Sequence, residues 1–256
     1  MAKPDLPRPG SLWLIGAGNM GGALLGRWRA AGREVVVADP RLGLHLPPAG
    51  HAATVVLAVK PQAWHAATAV LGERAVAGTL VVSVMAGVPL TALAERFPAA
   101  HCARAMPNTP AAVGRGVTGL FSDDADADER ARLEALFGDA GSTAWLDAEA
   151  EFDALTAVSG SGPAYLFAFV EALAAAGVTA GLAPDLALRL ARATVTGAAA
   201  LADGDTDPAI LRAAVTSAGG TTAAGLAVLL PALGPLLRDT VAAAAERSRA
   251  LGKPAI

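Results

Sequence analysis

The hexapeptide Gly16-Ala17-Gly18-Asn19-Met20-Gly21 stands between an apolar run, Leu12–Ile15, and a helical pattern. Three glycines at this spacing have separate tasks. Gly16 permits a tight turn, Gly18 lets the backbone approach a pyrophosphate, and Gly21 lets the helix close on the strand. The helix start, with Asn19 and Met20, offers free N–H groups to phosphate charge. Asp39 ends the next strand. An acid there suits the ribose hydroxyls of NAD, whereas a neighbouring arginine accommodates the extra phosphate of NADP. Arg41 provides that second cue, so both cofactors stay open. Ala58-Val59-Lys60-Pro61 and Met85-Ala86-Gly87-Val88 follow two later strand patterns. Ligands of doubly wound sheets bind at such strand ends, where small residues and proline let a flat ring lie close.

The second half carries two more clusters: Ser-Gly-Ser-Gly-Pro-Ala-Tyr over Ser159–Tyr165, and Val-Thr-Ser-Ala-Gly-Gly-Thr-Thr over Val215–Thr222. Glycines and hydroxyls ahead of a helix leave N–H donors suited to a carboxylate. Ordinary helix capping by Ser or Thr is the bland alternative.

The elements that must position these residues change character along the chain. Strand patterns at Leu12–Ile15, Glu34–Ala38, Thr54–Val59, Leu80–Val84 and Cys102–Met106 alternate with helical ones at Met20–Ala31, Gln62–Leu71 and Pro89–Phe97. That alternation predicts a doubly wound, mostly parallel, Rossmann-like α/β sheet. Val117–Phe121 and Thr143–Leu146 add strands around a charged helix, Asp124–Phe137. After Ala148 strand signals stop. Ala/Leu-rich helices follow at Ala150–Val158, Pro163–Ala176, Pro184–Ala202, Pro208–Val215, Thr221–Leu230 and Gly234–Leu251. The expected division is a dinucleotide-binding domain over 11–147 and an all-α domain over 148–256.

Composition narrows the classes. Hydrophobic residues make up 54% of the 256 but aromatics only 4%, so alanine dominates and helices should pack closely. A net charge of −3 without a Lys/Arg cluster excludes nucleic acid as the main partner. Cys102 is alone and the four histidines have no ligand spacing, which predicts neither disulfide nor metal. Met1–Gly10 reads as a loose tail rather than a signal peptide, and the apolar stretches Tyr165–Ala183 and Ala223–Leu237 are interrupted by Glu171, Pro231 and Pro235. A cytoplasmic protein with no membrane span is expected. Weakly amphipathic helices predict a homo-oligomer.

Gly16–Gly21, Ala58–Pro61, the Ala-Met-Pro-Asn-Thr-Pro of Ala105–Pro110, Ser159–Tyr165 and Ser217–Thr222 stand in one order and spacing. In this the chain resembles pyrroline-5-carboxylate reductases from about Leu12 to Leu251. The resemblance implies an all-α dimerisation domain after the sheet, and reduction of a cyclic imino acid, 1-pyrroline-5-carboxylate, to proline. It leans toward NADP, in homodimers or larger assemblies. By motif, Gly16, Gly18, Asn19, Met20 and Gly21 become the pyrophosphate turn. Ala58, Lys60, Pro61, Ala86, Gly87 and Asn108 become the ribose–nicotinamide wall. Val215, Gly220, Thr221 and Thr222 become the substrate pocket, with Asp205 helping to order it and the Thr222 hydroxyl at the ring nitrogen.

Three positions depart from that pattern. Ala218 replaces a usual proline, and Leu230 replaces an acid or amide. Asp39–Ala52 is short and broken by Gly43, Pro47, Pro48 and Gly50, where the family has a helix and a third strand. Too few residues remain for a crossover helix, so the sheet should lack an edge strand. Other readings compete. A 3-hydroxyacid dehydrogenase resembles this layout but uses a lysine on its helical domain, and the lysines here are only Lys3, Lys60 and Lys253. A dinucleotide-binding protein without catalysis, and a reductase of a six-membered imine, also stay open.

Overall fold

Residues 11–45 and 50–252 are described by the computed structural model. The expected N-terminal tail, Leu46–Ala49 with Pro47 and Pro48, Lys3 and Lys253 lie outside them. The described chain forms two compact units, one running to Ser161 and resuming at Ala244, the other Gly162–Ala243.

The first unit is built on a seven-stranded sheet: β1 Leu12–Ile15, β2 Val35–Ala38, β3 Thr54–Leu57, β4 Leu80–Ser83, β5 His101–Pro107, β6 Gly116–Phe121 and β7 Gly141–Trp145. Spatial order is β2-β1-β3-β4-β5-β6-β7, parallel except for the antiparallel β5–β6 pair. Central strands read as continuous β-branched and leucine runs because both faces are covered. Leu12 and Leu14 enter one core with Leu24, Trp28, Leu133 and Phe137, while Trp13 and Ile15 enter the other with Leu93 and Phe97. The order reverses across β1 and β3, which opens a crevice at their carboxyl ends.

Helix α1, Asn19–Ala30, follows β1; α2, Trp64–Thr68, follows β3; α3, Leu90–Arg96, follows β4; α4, Ala127–Gly138, follows β6. Two of these helices depart from the pattern by more than one residue at their start. Asp126 and Glu129 form a reciprocal capping box that starts α4 at Ala127, not at Asp124. The Gln62–Leu71 helix is a short α-turn flanked by 3-10 turns, Pro61–Ala63 and Ala69–Arg74. Between β2 and β3 the described residues contain one 3-10 turn, Pro40–Leu42, and a bridge from Asp39 to Leu44. β2 therefore stands at the sheet edge, as the breakers foretold.

After β7 come a short helix α5, Phe152–Leu155, and a widened π-turn, Thr156–Gly160. The second unit holds α6 Gly162–Thr179, α7 Pro184–Ala202, α8 Pro208–Ala214 and the start of α9, Thr221–Leu251. Helix α9 corrects an expectation: it does not break, and Pro231 and Pro235 lie inside it. Proline's fixed φ is itself helical, so each ring removes one hydrogen bond and crowds the carbonyl four residues back. Those carbonyls belong to Ala227 and Pro231, both exposed residues within the single chain.

Candidate functional site

The cradle grows from the way β1 meets α1. Gly16 has φ +92, and a side chain there would stand 2.7 Å from the Ala58 carbonyl oxygen. At Gly21 it would stand 2.2 Å from the Gly16 carbonyl oxygen. Both glycines are therefore fixed by backbone approach, as their spacing implied. Gly18 precedes α1 without a side-chain cap, and no acid occupies the first turn. The N–H groups of Asn19, Met20 and Gly21 have no intrahelical partners, which leaves a positive helix end facing outward.

An open cavity of about 1180 Å³ lies over this turn. Gly16, Gly18, Asn19 and Met20 line it from one side, and Asp39 with Arg41 from the edge of β2. Ala58, Lys60 and Pro61 line it after β3, and Ala86 after β4. Gly21 lies beneath the turn, Gly87 follows Ala86 on the exposed β4–α3 turn, and Asn108 follows β5, two strands beyond β3. His45 and Arg74 also line the cavity. Sequence reasoning missed both, because each reaches it from a segment without a motif.

Asp39 is buried and its carboxylate is crowded with donors. It accepts from the Ala17 N–H at 2.8 Å, the Arg41 N–H at 3.0 Å, and the Arg41 guanidinium through Nε at 3.1 Å and Nη2 at 2.8 Å. The Arg41 guanidinium foremost, then the Ala17 N–H, holds the carboxyl far below the ordinary carboxylate range despite its burial. Arg41 itself is 70% exposed, so a cation is what this corner displays.

Asn108 is engaged at both ends of its amide. Oδ1 accepts from the Val117 N–H at 2.9 Å, while Nδ2 donates to the carbonyl and hydroxyl oxygens of Ser159, each at 3.2 Å. Nearby, Glu149 accepts from the Leu90 N–H at 2.6 Å and from Arg104 Nη1 at 2.8 Å, and Arg104 lies 4.2 Å from the Phe152 ring.

In the second unit, Gly219 has φ +70 and the Gly220 N–H donates to the Ser217 carbonyl at 3.1 Å. This turn leads into α9, whose first residues are Thr221 and Thr222, both exposed. Val215 is exposed at the end of α8, and Asp205 is exposed in the α7–α8 loop. Substrate-pocket candidates from Val215 to Thr222 thus share one helix–turn–helix corner.

Residues 149–251 match the family model for pyrroline-5-carboxylate reductase dimerisation. A pyrroline-5-carboxylate reductase from Synechocystis is 38% identical over 264 residues, covering 94% of this chain and 98% of the relative. One from Pseudomonas aeruginosa is 36% identical, covering 93% and 96%. The chain belongs to the pyrroline-5-carboxylate reductase family. A solved pyrroline-5-carboxylate reductase from Coxiella burnetii superposes with a TM-score of 0.86 at 32% identity, covering 96% of this chain and all of that one. The Plasmodium falciparum pyrroline carboxylate reductase, solved with NADP bound, gives 0.79 at 26% identity, covering 97% and 100%. A nicotinamide dinucleotide cofactor accords with the family's Rossmann-like sheet, the uncapped start of α1 and the cavity above it.

Proposed function

We propose that the chain reduces 1-pyrroline-5-carboxylate to proline, the closing step of proline synthesis, with hydride from NAD(P)H. The observation that carries this is identity with reductases of that name over almost their whole length. When bound, the dihydronicotinamide supplies the hydride. The chain's own residues supply binding and orientation. The N–H groups from Gly18 to Gly21 hold the pyrophosphate; Ala58, Lys60, Pro61, Ala86 and Gly87 form the wall for ribose and ring. Thr221 and Thr222, at the positive start of α9, take the substrate carboxylate and ring nitrogen, with Val215, Gly220 and Asp205 shaping the pocket. Holding donor and acceptor carbons at contact distance provides much of the acceleration. A protonated imine needs no strong acid, which fits a chain with no lysine between Lys60 and Lys253. That absence disfavours the 3-hydroxyacid dehydrogenase reading. A steady-state assay with pyrroline-5-carboxylate and each cofactor tests the proposal; dinucleotide binding without turnover would leave the binding-protein reading standing. Thr222→Ala is expected to lower kcat about tenfold, the worth of one hydrogen bond to a charged group; unchanged kinetics would remove Thr222 from the site.

NADPH is the preferred cofactor on this reading. The Asp39 carboxylate is filled by Ala17 and Arg41, whereas the Arg41 guanidinium is displayed to the cavity it lines. Arg41→Ala is expected to lower kcat/KM for NADPH by roughly 10- to 100-fold, the worth of a charge-assisted contact, and for NADH by less than about threefold. Equal losses with both cofactors would move Arg41 away from the 2′-phosphate.

The domains are proposed as 11–147 for the dinucleotide and 148–256 for substrate and assembly. Helices α6 and α9 bury no residue within the single chain, and they leave Phe167, Val228 and Leu236 exposed. The stretches Glu149–Thr179 and Thr221–Leu251 are long and apolar enough to cross a membrane. Their match to a dimerisation family supports pairing with a second copy in a cytoplasmic homodimer or larger assembly.

A further inference from the structure

We propose that Asn108 is a positioning residue for this reaction, acting through Ser159 rather than on the dinucleotide. The inference rests on the reductase reading above. An asparagine amide offers two N–H donors and one carbonyl acceptor. Here the amide nitrogen meets two oxygens of one residue, the Ser159 carbonyl and hydroxyl, and Oδ1 faces the Val117 N–H. The reverse placement of the amide would set oxygen against oxygen and nitrogen against N–H, so the surrounding network fixes its orientation. Only 9% of its surface is exposed, and its amide nitrogen is engaged by Ser159.

What it holds is a π-turn, Thr156–Gly160, whose buried Thr156 hydroxyl has no hydrogen-bond partner among the described residues. The Ser161 N–H returns to the Thr156 carbonyl at 2.8 Å, and Leu155 packs over Gly119 of β6. Asn108 adds a tie from the carboxyl end of β5 to Ser159. The chain leaves the sheet unit just after it, since Gly162 opens the second unit. Insertions of this kind in helices are frequent at functional sites. Asn108 thus ties down the turn that leads into the second unit. Small misplacements of reacting groups lower rate steeply, while dinucleotide affinity, set by the α1 cradle, is untouched.

The test uses Asn108→Asp, which has the same shape and keeps an acceptor for the Val117 N–H but turns a carboxylate oxygen toward the Ser159 carbonyl oxygen. Three quantities are read on the full-length protein: dinucleotide Kd by titration, hydrogen exchange of residues 156–162 without cofactor, and kcat with pyrroline-5-carboxylate. The expected result is an unchanged Kd, faster exchange over 156–162, and a kcat lowered roughly 10- to 100-fold. Asn108→Ala should give the same split; should it fail to fold, Asn108→Asp and Ser159→Gly still decide. Ser159→Gly removes the hydroxyl but keeps the carbonyl acceptor, so it should show a smaller change of the same kind. A Kd raised tenfold with exchange unaltered would overturn the proposal in favour of direct cofactor contact. Unaltered exchange and kcat would overturn it as well. If wild-type protein shows no turnover, the reductase reading fails, and exchange and Kd still judge the tie.

Discussion

Gly21→Ala is expected to destabilise the sheet unit by about 3 kcal/mol and to weaken dinucleotide binding about 100-fold. Alanine is the better helix former by about 1 kcal/mol, so local propensity alone predicts a gain. Close approach decides otherwise. The new methyl would stand 2.2 Å from the Gly16 carbonyl oxygen and 3.0 Å from the Ala58 Cβ. Neither obstacle is the end of a flexible side chain, so α1 must move off β1. Overpacking of a fixed core costs about 1–3 kcal/mol, and here the clash is with backbone. The same shift withdraws the N–H groups of the first turn from the pyrophosphate. Losing two hydrogen bonds to a charged group, at about 1.5 kcal/mol each, amounts to about 100-fold in Kd. Gly26→Ala, on the same helix with nothing within 4 Å of its new methyl, is the control and should be neutral or stabilising. Thermal unfolding and cofactor titration check both variants. A Gly21→Ala protein with native melting temperature and Kd would show that the strand–helix approach is not tight.

The sheet was legible because its code is local. Seven short, mostly apolar runs announced seven strands, and the glycine spacing announced the turn where the order reverses. The breakers around Gly43 announced that no crossover helix could form after Asp39. Other features depend on partners far along the chain, or on solvent, and leave no local pattern. The residue types of Asp39 and Arg41 were readable as competing cofactor cues, but their mutual engagement was not, since it needs the turn to fold one onto the other. Asn108 carried a family motif, yet its hold on Ser159 spans 51 residues of sequence. Pro231 and Pro235 read as a break under a rule for helix interiors, whereas proline's fixed φ is itself helical and α9 continues through both. The antiparallel turn of β6 was hidden for a different reason: alternation tells a strand from a helix but says nothing of direction.

Glu149 is the second residue whose loss should be severe, and no motif marks it. Its carboxylate joins three elements: the Leu90 N–H at the start of α3, the Arg104 guanidinium on β5, and through Arg104 the Phe152 ring that opens α5. Arg104 is 8% exposed. Glu149→Ala would leave that buried guanidinium with an aromatic face as its remaining partner, since the ring quadrupole is worth about 2 kcal/mol when desolvated. Orphaning one partner of a buried pair costs about 3–5 kcal/mol; the 29% exposure of Glu149 and the residual ring contact argue for the lower end, about 3 kcal/mol. In a chain of this size that is a melting-temperature fall of roughly 6–12 °C. A surface ion pair, by contrast, would register about 1 kcal/mol or less. The two origins separate in the double variant Arg104→Met, Glu149→Leu, which removes both charges and keeps apolar bulk. There the remaining loss is the acceptor for the Leu90 N–H, about 1 kcal/mol, so the double variant should melt well above the single one. Were the two to melt together, the stabilisation would lie in the helix start of α3, and the Arg104 charge would have other means of compensation.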